Sequence, residues 1–334
     1  MKPWANRAKA TTKCLSKRTP RRFGSCQKKT FQKVTMPAAS HQSSTDKAYE
    51  KDIGESATYA SYKRSPYLSI KHSSYFQVYD ELFEKYRGQP ITFVEVGVLH
   101  GGSLFMWRDY FGPQARIIGL DFNPYAKRWE ADGFEIHIGD QSSPSFWEDT
   151  FKKIGDVDIV LDDGGHTFEQ QIVTSHQCIP HIKDGGLLVV EDTHTSYFMS
   201  FGYPTKYSFI EWAKKLADNI NSRYPSVKSS MPPYKKAVYS ISFFESIVGF
   251  KIDRKKCFNC APTTNGGIES HVEDFRYKGA TMEKIIAVEE ALKARWDFIE
   301  RNTLLRKIKN RVINEYRRSV SRSGFIKLKR YFST

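Results

Sequence analysis

The chain has 334 residues, 40% apolar and 14% aromatic, with a formal net charge of +15, enough for one large domain with appendages or for two small domains. No apolar run reaches the roughly 18–20 residues of a membrane span, and no N-terminal apolar segment of secretory type is present. Residues 1–45 carry +11 and residues 301–334 carry +10, which leaves −6 for residues 46–300, so a nucleic-acid groove in the body is not expected, because such a face needs clustered positive charge.

Residues 1–45, rich in Lys, Arg, Ser, Thr and Pro, read as a disordered basic extension. A start at Met36 and an organelle transit segment are the alternative readings of this stretch. The apolar spacing of Tyr67, Leu68, Ile70, Tyr75, Phe76, Val78, Tyr79, Leu82 and Phe83 predicts an amphipathic helix over residues 67–86. Strands and helices then alternate. Strands are expected at 91–96, 116–121, 134–138, 157–162 and 187–192, and helices at 103–110, from 144, and at 168–182. Strands this apolar suit a parallel sheet covered on both faces. Next come a strong helix at 208–224, expected to act as a lid over the strand ends, and a hairpin at 237–243 and 246–252. Residues 253–275 read as loop, 280–301 and 304–318 as helices, and 325–332 as a basic amphipathic end, foremost a solvated helix whose apolar stripe packs on its own domain, with contact to a membrane surface or a partner as the alternative. The fold class is therefore α/β, a doubly wound Rossmann-like sheet of seven strands with helical extensions at both ends. The expected division is 1–45, a domain at 60–252 with its core at 91–198, and an extension at 253–334. The five cysteines, Cys14, Cys26, Cys178, Cys257 and Cys260, lack regular spacing and predict reduced thiols and a cytoplasmic protein. The pair Cys257 and Cys260 reads as two loop thiols, with a metal or redox role as the rival reading.

Two acidic motifs follow buried strands. Asp162-Asp163-Gly164-Gly165-His166 comes after 157–161, and Glu191-Asp192-Thr193-His194 after 187–190. Open α/β sheets bind ligands at the carboxyl ends of their strands. Carboxylates gathered there repel one another unless a proton or cation intervenes, and a hard divalent ion suits oxygen ligands. The first strand ends in Glu95-Val96-Gly97-Val98-Leu99-His100-Gly101-Gly102-Ser103. Gly97 permits a tight turn there, and Gly101 and Gly102 permit close backbone approach. Asp121 ends the second strand, placed to accept ribose hydroxyls, and Asp140 and Gln141 follow the third, beside a base. The spacing departs from the dinucleotide fingerprint, so S-adenosylmethionine suits this end of the sheet better than NAD.

These stretches resemble a family. Residues 91–198 resemble class I S-adenosylmethionine-dependent methyltransferases. Within that class they are similar to the metal-dependent macrolide sugar O-methyltransferases of the macrocin and mycinamicin type and to the cephalosporin hydroxylase-like group. The resemblance rests on Glu95, Gly97, Gly101, Gly102 and Ser103, on Gly139-Asp140-Gln141-Ser142, and on the two acidic motifs. Gly165 stands where the family usually has Ser. The resemblance implies cofactor contacts from Glu95, Gly97, Gly101, Ser103, Asp121, Asp140, Gln141 and Asp162. It implies Mg2+ ligands in Asp163, Glu191 and Asp192, and a general base in His166, with His194 as the rival. A cation lowers the pKa of bound hydroxyls and a neutral imidazole takes the proton, so the expected reaction is methylation of a sugar or polyol hydroxyl on a carbohydrate or glycosylated metabolite. A hydroxylase-like or other small-molecule methyltransferase, and a non-catalytic nucleoside-binding protein, are the alternatives. Helices at both ends leave room for a homo-oligomer.

Overall fold

The structure, a computed structural model, describes residues 53–225, 227, 233–270, 272, 275, 276, 278, 279, 281–295, 303–329, 331 and 332. The basic extension over 1–45, with Cys14 and Cys26, lies outside them. Two compact units divide after Ala261.

The first unit is built on one seven-stranded sheet in the order β3-β2-β1-β4-β5-β7-β6. Its strands are β1 (Thr92–Val96), β2 (Arg116–Asp121), β3 (Glu135–Ile138), β4 (Val157–Asp162), β5 (Ile182–Val190), β6 (Val238–Phe244) and β7 (Ile247–Ile252). The five strands from β3 to β5 are parallel, while β7 runs antiparallel to β5 and to β6. The winding reverses between β1 and β4, the topological switch point where such sheets hold ligands.

Strand residues alternate between two buried layers, as the pleat dictates. Phe93, Ile117, Ile159, Leu161 and Val189 face one core, shared with Tyr75, Phe76, Tyr79 and Phe83 of α2 (Tyr75–Phe83) and with Leu104, Met106, Trp107 and Phe111 of α3 (Gly102–Phe111). Helix α1 (Ala57–Arg64) adds Ala57, Tyr59 and Tyr62 at its edge. Val94, Ile118, Val160, Leu188 and Val190 face the other core. Opposite them are Trp147, Phe151 and Ile154 of α4 (Pro144–Ile154), Cys178 of α5 (Phe168–Cys178), and Phe209, Ala213 and Leu216 of α6 (Phe209–Asn221). Local signals set the helix starts. Ser143 precedes Pro144 at the head of α4, and Thr167 with Gln170 forms a capping box at the head of α5.

Two expectations need correction. Residues 67–86 do not form one helix. Ser65 precedes Pro66, a position that disfavours helical backbone, so α1 ends at Arg64 and an irregular strap runs to the start of α2 at Tyr75. Helix α6 is not a lid, because it buries Phe209, Ala213 and Leu216 completely against the sheet.

The second unit contains α7 (Thr281–Arg295) and α8 (Thr303–Lys329), which carry an ion pair between Glu289 and Arg317. Helix α8 runs on through the basic stretch expected at 325–332 as far as Lys329. No described helix is long and apolar enough to cross a membrane. Cys178, Cys257 and Cys260 are free thiols.

Candidate active site

A cavity of about 710 Å3 opens across the carboxyl ends of β1, β2, β4 and β5. Of the residues singled out in the sequence it brings together Gly97, Ser103, Asp121, Asp140, Gln141, Asp163, His166, Glu191 and Asp192. Glu95, Gly101 and Asp162 lie behind its wall.

The turn after β1 forms one end. Gly97 has φ +88°, and a Cβ there would sit 2.1 Å from the Asp163 carbonyl oxygen, so the β1 and β4 loops pass at backbone contact and admit no side chain. Asp121 Oδ2 accepts from the amides of Val98 and Leu99 at 2.8 and 3.1 Å, and Oδ1 accepts from Asn123 N at 2.7 Å. These bonds fix the carboxylate at the cavity edge and leave one lone pair, on Oδ1, free. Asp140 Oδ1 accepts from the Ser142 amide and hydroxyl at 2.8 and 2.7 Å.

The glycine pair serves packing. A Cβ at Gly101 would meet the Trp129 indole at 2.2 Å, and one at Gly102 would meet the Tyr67 and Leu68 carbonyl oxygens at 2.3 and 2.5 Å. The pair therefore makes room for an indole and for the strap. Glu95 is wholly buried and accepts from the Ser103 hydroxyl at 2.8 Å and Trp107 Nε1 at 3.0 Å. Burial pushes its carboxyl up to about 7, against the pull of the Lys71 charge.

Gln141 joins the two ends. Its Nε2 donates to Asp162 Oδ1 at 2.9 Å and to Thr174 Oγ1 at 3.1 Å, and its Oε1 accepts from the Gly165 amide at 2.8 Å. Asp162 Oδ1 also accepts from Gly164 N at 3.2 Å. Asp162 thus shapes the loop from behind, and burial raises its carboxyl to about 6 although the Gln141 hydrogen bond lowers it. A Cβ at Gly165 would press on the Gln170 carboxamide at 2.4 Å, so a Ser here needs the capping side chain to shift.

At the other end Asp163, His166 and Asp192 converge, with one ligand atom of each within 4.8 Å of the others. His166 Nε2 is 3.3 Å from Asp192 Oδ2 and 3.8 Å from Asp163 Oδ1. Both His166 (φ 59°) and Asp192 (φ 53°) hold left-handed backbone, a strained state that clusters at functional sites. His194 sits on the other side of Asp192: with His72 and Asp192 it forms a second cluster whose ligand atoms lie within 4.8 Å of one another, its Nδ1 pairs with the Ser246 hydroxyl at 2.9 Å, and its ring meets His72 edge-on.

The sequence reading missed three residues. Lys71 Nζ donates to Asp163 Oδ2 at 2.6 Å and to Glu191 Oε2 and Oε1 at 2.9 and 3.1 Å, and its side chain is 1% exposed. Burial pulls its pKa down, but the charges of Asp163, Glu191 and Glu95 outweigh this and raise it, while burial and the Asp163 charge push the Glu191 carboxyl well above its ordinary range against the pull of Lys71; the three short contacts to carboxylate oxygens are those of an ammonium. Tyr79 Oη donates to Glu191 Oε1 at 2.6 Å, and Tyr75 Oη to Asp192 Oδ1. The signal for the tyrosines was their i,i+4 spacing on one helix face.

Comparisons with known proteins agree with this geometry. The family described as methyltransferase domain matches residues 94–193, and that stretch is a methyltransferase domain. The 8-demethyl-8-alpha-L-rhamnosyl tetracenomycin-C 2'-O-methyltransferase of Streptomyces olivaceus is 31% identical over 201 residues, 54% of this chain and 52% of that one. The mycinamicin VI 2''-O-methyltransferase of Micromonospora griseorubida is 34% identical over 159 residues, 42% of this chain and 39% of that one. The chain thus spans about half, or less, of the curated relatives it matches. Among solved structures, the MycE methyltransferase from the mycinamycin biosynthetic pathway, in complex with Mg and SAH, superposes with a TM-score of 0.53 at 26% identity, over 65% of this chain and 56% of that one.

Proposed function

We propose that this chain, whose residues 94–193 form a methyltransferase domain, is an S-adenosylmethionine- and Mg2+-dependent O-methyltransferase acting on a sugar or polyol hydroxyl of a glycosylated small molecule. The observation that carries this reading is the convergence of Asp163, His166 and Asp192 in the same cavity as Asp121. The relatives' names add the acceptor class: they are O-methyltransferases of glycosylated products.

The residues present suit both groups. The cavity falls in the size range of small-molecule sites, roughly 300–1,000 Å3. Gly97 and its neighbours offer a close backbone turn, Asp121 an edge carboxylate for ribose hydroxyls, and Asp140 and Gln141 a wall beside the base. Asp163 and Asp192 are hard oxygen donors whose mutual repulsion a divalent cation offsets, and Glu191 stands beside them. When bound, S-adenosylmethionine supplies the electrophilic methyl group and Mg2+ lowers the pKa of a hydroxyl held against it.

The chain's own work is positioning and proton removal. His166 takes the hydroxyl proton at Nε2, the nitrogen that faces the carboxylates and the cavity. Tyr75 and Tyr79 fix the orientation of Asp192 and Glu191, as outer partners of metal ligands do. Gln141 sets the distance between the two ends of the cavity, and such positioning contributes a large part of catalysis by orientation. Calorimetric titration with S-adenosylmethionine, and with NAD as control, in Mg2+ or EDTA tests the reading, followed by an acceptor screen among sugars. Binding of NAD alone, or of neither cofactor, would remove it.

A further inference from the structure

The ammonium of Lys71 is set deep among carboxylates. Its three hydrogen bonds go to Asp163 and to both oxygens of Glu191, two of the three residues assigned above to Mg2+. A buried ammonium between two carboxylates is a cation already in place, and a buried pair broken on one side leaves an uncompensated charge. Lone pairs that accept from Nζ at these distances are not available to a metal, which would bind at roughly 2.1 Å. Two cations of like sign side by side in one small acidic pocket also repel each other.

Lys71 belongs to the strap between α1 and α2, and the strap lines the cavity through Leu68, Ser69, Ile70, Lys71 and His72. Its first half is tied down. Ser65 Oγ donates to the Gly102 carbonyl at 2.8 Å, Tyr62 Oη to the Ser69 carbonyl at 3.1 Å, and the Tyr67 ring packs on Trp129 with centroids 4.5 Å apart. The stretch beyond Ser69 has little apolar anchorage, since Ile70 is 71% exposed. Lys71 is the buried side chain that pins it.

We infer that Lys71 is the resident counter-ion of the acidic pocket, that a divalent cation enters by displacing it, and that this exchange frees residues 69–72 from the cavity wall. The inference rests on the metal reading given above and adds a device to it: metal occupancy and strap position are one equilibrium. With Lys71 in place the metal-competent form is a minor fraction, and the apparent affinity is reduced by that fraction. The displaced ammonium moves to solvent at the cavity mouth, where it keeps its hydration.

Calorimetric titration of the full chain with MgCl2 tests this, comparing wild type with Lys71→Met, a variant that keeps the length of the side chain without its charge. The expected result is at least about tenfold tighter Mg2+ binding by Lys71→Met, the size expected if the competent fraction is one in ten or less. Circular dichroism reports whether the variant is folded. The wild-type chain gives an independent measurement, since amide hydrogen exchange at residues 69–72 is expected to rise on saturation with Mg2+. Binding of Mg2+ with equal affinity to both proteins, or with no change in exchange over 69–72, overturns the displacement and leaves the metal assignment intact. Absence of Mg2+ binding in both proteins overturns the metal assignment itself and the displacement with it.

Discussion

His166 and Asp192 come from different loops, yet a single hydroxyl ties their backbones together. Thr195 Oγ1 lies 3.0 Å from the His166 carbonyl oxygen and 2.8 Å from that of Asp192. Both residues are in the left-handed region, where a side chain with a β-carbon is disfavoured. The imidazole and the carboxylate are thus held at their 3.3 Å separation by the main chain as well as by their own attraction. For that reason the His166→Asn variant is expected to keep its fold. Its methyl transfer should fall by about 10²–10⁴-fold, the usual contribution of a general base. S-adenosylmethionine affinity, measured by calorimetry, should change little. Turnover within threefold of wild type would reject the role.

Removal of divalent metal with EDTA should abolish turnover, and added Mg2+ should restore it. Tyr79→Phe removes the hydroxyl that donates to Glu191 Oε1 and nothing that touches an acceptor. It is expected to raise the Mg2+ concentration for half-maximal activity by about tenfold, in line with losses of outer partners at metal sites. An unchanged Mg2+ requirement would show that Glu191 is not a ligand.

Glu95 predicts a pH dependence of stability. Its carboxyl rises from an ordinary 4.5 to about 7 in the fold, so the folded state holds the proton more tightly than the unfolded one. The sign follows from linkage: this contribution is complete below 4.5 and is lost as pH rises through about 7. Glu95→Gln keeps an acceptor for Trp107 Nε1 and a partner for the Ser103 hydroxyl, and does not titrate. At pH 8 the variant should be the more stable by on the order of 1–3 kcal/mol relative to the comparison at pH 4.5. Urea denaturation of both proteins at the two pH values checks this, and parallel behaviour would contradict it.

Gly102→Ala separates propensity from packing. At an open position in a helix, Ala gains up to about 1 kcal/mol over Gly. Here the new Cβ would sit 2.3 Å from the Tyr67 carbonyl oxygen, which is backbone and yields little. Overpacking of this kind costs about 1–3 kcal/mol, so the net effect on thermal unfolding should be destabilising. A rise in melting temperature would mean that the strap is not seated against α3.

The sheet was legible because buried parallel strands are nearly all apolar: β2 and β4 fall where 116–121 and 157–162 were expected. The acidic motifs were legible because they follow those strands directly. The other half of the pocket was not. Lys71, Tyr75 and Tyr79 sit in a stretch whose apolar spacing imitates one long helix, and Pro66, just ahead of that stretch, suits a helix start and gives no sign against it. A buried lysine also looks like any surface lysine until its partners, 92 and 120 residues further on, are known. Glu95 and Gly101 fit the expected turn in sequence, but the space they fill is decided by Trp107, on the helix that follows the turn, and by Trp129, 28 residues beyond Gly101, both outside any motif.

The hairpin of β6 and β7 has a consequence for how the protein is made. Its turn residue Ser246 accepts from the Thr193 amide at 3.0 Å and pairs with His194 Nδ1, while β7 lies against β5 along its register from Leu187 to Val190. On the ribosome the acidic motif after β5 emerges well before its clamp exists. Pairings between distant segments form slowly, so the loop after β5 is expected to set late. A chain lacking residues 238–252 is therefore expected to keep the five parallel strands while losing the partners that hold Thr193 and His194.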